Sequence, residues 1–555
     1  MNKAVGVEEL AGALRRIKQR SGLSYQELAQ RAFVSRSTLH RYCHGKGVAG
    51  DYAVIAKIAQ ECGARPDELN HLLRCWQAAT AAEQAAGDEP EPLTPPAAPS
   101  VAPPATPARP GPAPKRLGRA GRTLALALAL ACVLLATVVA STPQGGGGRP
   151  RQAYPAVAAG TSWYDAPAPV DRKGFGVTLN SSSGTMPSFR VGAVRLWDSE
   201  TRWAQLEPRP GEYDWSTLDR LLDGAQAQGL PALFVLGGTP AWAAPRARRA
   251  AYPDGSRAAP PDDLAAWDAF VTSLVRHARG RIEAYELWVM ANHPDHFNGS
   301  VETLVEMTGR ASRIIRANDR DAVVVCPSVS RLWEADAHAF LRRFADLGGY
   351  QSCDAAGIKL YQRNIQDPPE TMLEAAQSVY RTFHQAGVHL PIWNTGTTQS
   401  LPLNDPLDPR RGADFAARFY LTGLYAGRYG LARMYFYAWG NSTIPIVLQA
   451  EGRPPTRAGL QVEGLQRWLT GADLRGCGHG PEAALPDNVW QCEFGLPGDA
   501  GHPRTAQIRW THTGEAWTHA GPGEARARNL DGTEREVGPS GAIRITESPV
   551  LITYD

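Results

Sequence analysis

Near the start of the chain, cations and hydroxyls recur at the spacing of one helix face. Ser35 is a helix-capping residue type, and a helix over Arg36 to Tyr42 would expose Arg36, Ser37, Thr38 and Arg41 while turning Leu39 inward. Guanidinium and hydroxyl groups on one exposed face are the chemistry that meets phosphate oxygens and the acceptors of base edges. A second group of candidates is acidic. Asp198, Glu286 and Asp295 each fall near the end of a β-rich run, and paired carboxylates can do general acid and base work. Glu286 stands two residues before Trp288, so its side chain points inward but a full step deeper than the strand end. His40 and His44 invite a metal reading but have no partner ligands at suitable spacing. The eight cysteines also lack the close pairs of a zinc ribbon or a redox motif. No metal and no cofactor are expected.

The elements that must position the basic face are short helices. Val7 to Arg20 has apolar residues at helical spacing, and Ser24 with Glu27 three residues later forms a capping box for a second helix, Tyr25 to Ala32. After a turn at Phe33 and Val34 comes the Arg36 helix, followed by two more near Tyr52 to Cys62 and Pro66 to Ala79. The whole run holds Arg15, Arg16, Lys18, Arg20, Arg31, Arg36, Arg41 and Lys46, a basic surface in a chain whose net charge is only +3.

A chain of 555 residues is too long for one core, and its 44 Pro are not evenly spread. From Thr123 to Thr142 it reads TLALALALACVLLATVVAST, without a charge and long enough to cross a hydrocarbon layer of ~30 Å. Lys115, Arg116, Arg119 and Arg122 precede this span and favour retention of the N-terminal side in the cytoplasm. Glu89 to Pro114 reads as a Pro/Ala tether, and Gly145 to Gly148 as a flexible exit on the far side. Cys43, Cys62 and Cys75 would then stay reduced, whereas Cys326, Cys353, Cys477 and Cys492 could oxidise. Cys477 with Cys492 is the preferred bridge, with two buried free thiols as the alternative.

Beyond Gly174 short β-rich runs alternate with longer helical ones, the pattern of parallel strands with covering helices. Eight strands are expected near Gly174 to Leu179, Ala193 to Trp197, Ala232 to Gly237, Ala284 to Val289, Ala322 to Cys326, Ala355 to Leu360, Pro391 to Thr395 and Met434 to Trp439. Eight β/α units in one run fit a TIM barrel, whose functional residues sit at the C-terminal strand ends.

Two resemblances add to this reading. LSYQELAQRAFVSRSTLHRYCHG resembles the repressor-type helix-turn-helix of the Cro and xenobiotic-response-element regulators, over about Val7 to Ala79. That resemblance implies a DNA-reading face of Ser35, Arg36, Ser37, Thr38 and Arg41, with Gln26 holding a phosphate. A protein-interaction module that kept the fold is the alternative. Downstream, VRLWD, GEYDW, GGTPAWAA, YELWVMANHPDHFNG, WNTG and FYAWGN resemble strand ends of clan A glycoside hydrolases, especially the family of β-xylosidases and α-L-iduronidases, over Gly174 to Asp555.

Retaining glycosidases use two carboxyl groups roughly 5 Å apart. The resemblance places the acid/base Glu after Trp-Asn on the fourth strand, where this chain has Trp288, Val289 and Met290. It places the nucleophilic Glu at the end of the seventh strand, where the chain reads Trp393, Asn394, Thr395 and Gly396. A thioether cannot donate a proton and a glycine cannot form a glycosyl ester, so a pseudo-glycosidase is expected. Lys359 also stands where the family commonly has a His. Arg195, Trp242, Trp288, Asn292, Tyr361, Trp393, Tyr437 and Trp439 remain as candidate glycan-binding residues, or as barrel packing.

The expected architecture is multidomain: an all-α helix-turn-helix bundle over 1–80, a Pro/Ala-rich linker with a basic juxtamembrane end over 81–122, and one transmembrane helix over 123–142. An extracytoplasmic linker over 143–170, a glycosidase-like (β/α)8 TIM barrel over 171–459 and a small β-sandwich over 460–555 follow. The expected role is a single-pass membrane regulator or sensor, N-terminus cytoplasmic. Its expected partners are DNA, the lipid bilayer, an extracellular or cell-wall glycan and a second copy of itself. The alternatives are an active atypical glycoside hydrolase and a partner-binding structural membrane protein.

Overall fold

The computed structural model describes residues 2–31, 36–45, 52–65, 68–69, 71–76, 79, 162–396, 407–442, 444–498, 504–521 and 525–554. They fall into two compact units divided after Ala156. Among the described residues no helix is long and apolar enough to cross a membrane, and the expected span at 123–142 lies outside them.

The first unit is helical: α1 (Asn2–Ser21), α2 (Tyr25–Arg31), α3 (Arg36–Cys43) and α4 (Tyr52–Glu61). The capping box at the start of α2 is formed in both directions. Ser24 Oγ accepts from Glu27 N at 3.2 Å, and a Glu27 carboxylate oxygen accepts from Ser24 N at 2.9 Å. Leu10, Leu14, Ile17, Leu28, Leu39, Ile55, Ile58 and Leu72 build its core, with Leu39 turned inward. Several cations of the basic run hold this fold together. Arg15 donates to the carbonyl of Cys43 at 2.7 Å, and Arg20 pairs with Glu68 through both of its Nη atoms.

In the second unit eight short parallel strands form one sheet: β2 (Phe175–Leu179), β3 (Ala193–Leu196), β4 (Ala232–Val235), β5 (Ala284–Glu286), β6 (Val323–Val325), β7 (Ala356–Ile358), β8 (Ile392–Asn394) and β9 (Leu431–Trp439). Their order, β6-β5-β4-β3-β2-β9-β8-β7, leaves β6 and β7 as neighbours at the seam. Parallel bridges Val325 to Ala355 and Val329 to Ile358 nearly close the barrel there. Each expected strand position carries a strand. Amphipathic helices cover the sheet, including α5 (Ser216–Ala227), α6 (Leu264–His277), α7 (Val301–Asn318), α8 (Ala335–Asp346), α9 (Met372–Gln385) and α10 (Pro409–Tyr425). Asp263, Ser300 and Asp408 cap α6, α7 and α10 with side-chain oxygens.

The chain flanking the barrel departs from expectation at both ends. Ser162–Pro169, placed in a linker by its composition, is strand β1 and pairs antiparallel with β10 (Asp473–His479). The stretch after Leu460 does not turn strand-like at once, because Arg457–Trp468 is a helix, α11, capped by Thr456. An antiparallel sheet then follows from β10, β11 (Val489–Leu496), β12 (Arg504–Thr511), β14 (Ala525–Asn529), β15 (Glu534–Arg535) and β17 (Val550–Tyr554), with β1 at its edge. A ribbon of β13 (Ala516–His519) and β16 (Ala542–Ile545) shares its inner apolar residues, among them Val489, Ile543, Ile545 and Ile552. Cys477 and Cys492, opposite one another on β10 and β11, are disulfide-bonded. So are Cys326 and Cys353, which sequence spacing left unpaired.

The barrel and this sheet share one core, pinned by a buried ion pair. Arg418 on α10 pairs with Glu370 at 2.6 Å, and Trp510 on β12 donates to the same carboxylate at 2.7 Å. Arg418 is 0% exposed, so removing Glu370 leaves its buried charge with only the longer contact to half-buried Glu547, at 3.4 Å, and the carbonyl of His512. We expect Glu370→Ala to cost about 3–5 kcal/mol. Glu547→Ala, which touches Arg418 from a half-buried position, should cost under ~1 kcal/mol. Denaturant unfolding of the two variants checks the difference.

Candidate functional site

The barrel interior is layered. Alternation along the strands sends Ala193, Leu233, Ala284, Val325, Ala355, Trp393 and Tyr435 into one apolar floor. Further along the strands the inward positions turn polar: Thr178 on β2, Arg195 on β3, Glu286 on β5, then Lys359 and Thr395 just past β7 and β8. All five are buried.

Glu286 organises this layer. Its Oε2 accepts from Arg195 Nε at 2.8 Å, and its Oε1 accepts from Lys359 Nζ at 3.4 Å and from Thr395 Oγ1 at 3.0 Å. Lys359 Nζ also donates to the carbonyl of Thr395 at 2.6 Å and to its hydroxyl at 2.9 Å. Burial would push the Glu286 carboxyl up, but the charges of Arg195 and Lys359 overrule it and hold the group below its ordinary range. Burial, then the charge of Arg195, pull Lys359 down to about 7 against the opposing pull of Glu286.

Beside the charged layer, Trp197, Val235 and Val289 form a small apolar cluster with Tyr252 and Met290 against it, Val235 being paired in register with Glu286. Trp197 Nε1 donates to the Tyr252 hydroxyl at 3.0 Å, and that hydroxyl also meets His296 Nδ1 at 2.9 Å. Burial pulls His296 down to about 3, leaving a neutral ring there. Trp197, Tyr252 and His296 were absent from the sequence-derived candidates. The inward parity of Arg195 extended by two residues would have found Trp197. Asp198 ion-pairs with Arg202 at 3.2 Å and is partly exposed, as are Asn180 and Tyr437, which hydrogen-bond each other at 3.4 Å.

Met290 and Gly396 both adopt positive φ, 44° and 131°. Met290 N is held by Ser328 Oγ at 3.1 Å. At Gly396 the backbone itself selects glycine, because an L side chain rarely adopts that conformation.

The structure separates the eight candidate glycan-binding residues. Arg195 lies in the charged layer, and Tyr437 and Trp242 stay partly exposed, Trp242 donating to the carbonyl of Glu207 at 2.9 Å. Asn292 is also partly exposed but bridges backbone, with its amide to the Ser330 carbonyl and its oxygen to Ser330 N, both at 2.9 Å. The other four correct the expectation. Trp288 is 0% exposed against Trp267 and Phe297, and Trp439 is buried with its indole on Gln449. Trp393 packs in the floor under the Arg433 guanidinium, and Tyr361 sits edge-on to Trp333, its hydroxyl pushed up to about 12 by burial. None of these four rings offers a free face for a sugar to stack on.

In the helical unit, Gln26 and Arg41 are exposed on α2 and α3. The backbone of Arg36, Ser37 and Thr38 is helical, while Ser35 and those three side chains lie outside the described residues. His40 and His44 stack on each other with centroids 4.0 Å apart, next to Tyr25. Ligand-type atoms of Glu9, His71 and Cys75 lie within 4.8 Å of one another, a group of three that sequence spacing did not suggest and that could take a divalent ion. Cys43, Cys62 and Cys75 are free and buried, and burial pushes each thiol up.

A family model described as a helix-turn-helix domain matches residues 9–72, and one described as beta-galactosidase matches residues 177–269. No curated protein matches the chain. Among solved structures, a family 39 glycoside hydrolase from the gut symbiont Bacteroides cellulosilyticus WH2 is 14% identical with a TM-score of 0.54, over 70% of this chain and 83% of its own. A monomeric beta-xylosidase from Caulobacter crescentus CB15 is 15% identical with a TM-score of 0.50, over 70% of this chain and 97% of its own. Identities this low speak for the fold alone. The chain carries a helix-turn-helix domain followed by a glycoside-hydrolase-like barrel.

The buried lysine has a thermodynamic signature. Its folded value, about 7, lies below its ordinary 10.5, so the unfolded chain holds the proton more tightly between those values. Stability therefore rises with pH across that window and has lost this contribution once the pH falls to about 7. Replacing Lys359 with Met should flatten that rise. Melting of both proteins between pH 7 and 10 checks it, and parallel curves would refute the assignment.

Proposed function

We propose that this chain is a membrane-tethered regulator whose outward-facing barrel binds a glycan without cleaving it, while its inward helix-turn-helix binds DNA. The observation that carries the barrel half is the fate of Glu286. It is an inward-facing carboxylate on β5, yet it is fully buried, shared among Arg195, Lys359 and Thr395, and held ionised. A glycosidase needs one protonated carboxyl and a second that attacks or activates water. Met290 and Gly396, which the sequence resemblance sets against the family's two carboxylates, stand four and two residues past the ends of β5 and β8.

The cysteines support the topology. Among the described residues, two disulfides lie in the barrel unit, whereas the helical unit keeps three free thiols, as an oxidising and a reducing side would leave them. The uncharged segment 123–142 with Lys115, Arg116, Arg119 and Arg122 before it supports the same orientation. Exposed Gln26 and Arg41 support DNA contact. Signalling between the two sides would run through association of copies, since a Pro/Ala-rich tether is a poor lever.

A second reading has one observation in its favour: Asp198 is a partly exposed carboxylate close enough to Tyr437 to raise its hydroxyl further. It would make the barrel an atypical hydrolase. The full chain in detergent, incubated with aryl β-xylosides and β-galactosides, separates the two. We expect no phenol release above buffer, together with a dose-dependent rise in the barrel's melting temperature with oligosaccharides. Release that disappears in Asp198→Asn would establish the hydrolase. On the DNA side, Arg41→Ala should weaken binding to a selected site by about 1–3 kcal/mol, measured by electrophoretic shift at fixed salt.

A further inference from the structure

A cluster of ligand-type side chains in the helical unit plays no part in the proposed DNA contact. Glu9 lies on α1, while His71 and Cys75 stand four residues apart on the helical stretch 71–76. Residues at that spacing share one face of a helix, the arrangement by which a helix presents two ligands to one ion. One carboxylate oxygen of Glu9, one ring nitrogen of His71 and the sulfur of Cys75 all lie within 4.8 Å of one another. Cys75 Sγ is 3.7 Å from His71 Nε2 and 3.9 Å from Nδ1.

These separations are close to what coordination requires. A tetrahedral zinc ion, with sulfur at ~2.3 Å and nitrogen at ~2.0–2.1 Å, holds those two atoms about 3.5 Å apart. The exposed Glu9 side chain can close the remaining distance without disturbing the core. Burial grades across the cluster, from Cys75 in the core through half-buried His71 to Glu9 in solvent. An ion therefore enters from the Glu9 side and keeps a fourth position there for water.

Ligand chemistry selects the ion. Calcium and magnesium take a full shell of oxygens, whereas this group offers one oxygen, one nitrogen and one sulfur, a donor set suited to zinc. Charge agrees, because a thiolate and a carboxylate together match a dication. Arg15 and Arg20, also on α1, pair with Glu8 and Glu68 rather than with Glu9. Cys75 is a free thiol, and its proton passes to water as the metal–sulfur bond forms.

We propose that Glu9, His71 and Cys75 form a site for one zinc-class divalent ion that ties α1 to the 71–76 stretch. The Arg20 to Glu68 ion pair already joins the same two parts of the chain, and the ion adds a second, stronger tie. A unit of this size has a small core, and a metal cross-link between its first and last described helical stretches stabilises it in the folded form. The site stands whether the unit binds DNA or protein.

The test is an optical titration of the full chain in detergent, stripped with a chelator and kept reduced by a phosphine. Co²⁺ is the probe and Zn²⁺ its competitor. One Co²⁺ per chain should give a thiolate-to-cobalt charge-transfer band in the near ultraviolet, and Zn²⁺ should displace it with a Kd below about 10 µM. Cys75→Ser should abolish the band. His71→Ala should weaken binding at least tenfold, and so should Glu9→Gln, which changes an exposed side chain outside the core and leaves the fold intact. Cys62→Ser should leave band and affinity unchanged.

A band that survives Cys75→Ser would place the ion on another thiol and overturn the site. Unchanged affinity in Glu9→Gln or in His71→Ala, zinc binding weaker than about 10 µM, or no band at all would overturn it as well.

Discussion

Three charges inside a barrel set the conditions for everything around them. Glu286, Arg195 and Lys359 are 0%, 2% and 3% exposed, so each has given up its water. The loss is several kcal/mol per ion unless good geometry recovers it. The geometry comes from the strands. Arg195 and Glu286 leave non-adjacent strands, β3 and β5, with β4 between them, while Lys359 and Thr395 leave β7 and β8 on the opposite wall. A slip of one residue in any of these strands would turn its member of the layer toward the covering helices. The pairing therefore fixes register on both walls of the barrel at once.

The layers on either side follow from that constraint. Below, three alanines, Leu233 and Val325 close the floor together with the rings of Trp393 and Tyr435, and Arg433 with Lys173 pairs Glu283 at the floor's outer side. Toward the strand ends, Trp197, Val235 and Val289 pack together with Tyr252 and Met290, and polar groups there are partly exposed. Outside the barrel, the Arg418, Glu370 and Trp510 contact ties α10 to the antiparallel sheet, so the appended sheet shares the barrel's core. The disulfide between Cys326 and Cys353 closes a loop of the chain that runs from the end of β6 to just before β7, at the seam. Cross-links of that span stabilise by about 3 kcal/mol in the chain-entropy model.

The strands and the capping box were legible in the sequence because both are local: alternation and a three-residue spacing need no tertiary information. The inward aim of Glu286 was legible for the same reason. Side-chain direction past the strand ends was not. β5 ends at Glu286, so the alternation that would aim Trp288 inward no longer applies, and the indole lies against Trp267 and Phe297 instead. On β9 the pairing with β2 shifts between Thr178 and Leu179, and the irregularity puts Trp439 beside Gln449 rather than over the cleft. Ser162–Pro169 carries little apolar signal because it is an edge strand, paired only with β10. The partnership of Cys326 with Cys353 depends on the meeting of β6 and β7, which no spacing rule encodes.

A barrel kept only as scaffold would have little reason to retain this layer. Replacing a buried charge group with apolar residues of similar volume is often neutral or stabilising by about 1–4 kcal/mol. The present arrangement is less economical still, since an enclosed guanidinium N–H and an enclosed hydroxyl stand without partners among the described residues. Each such group costs about 1–3 kcal/mol. The residues flanking them also take unusual backbone conformations, at Met290 and at Gly396. Burial cost and unused donors meet beside Gly396, toward the strand ends, where barrels of this kind place their chemistry. The layer therefore carries a cost that packing alone does not recover.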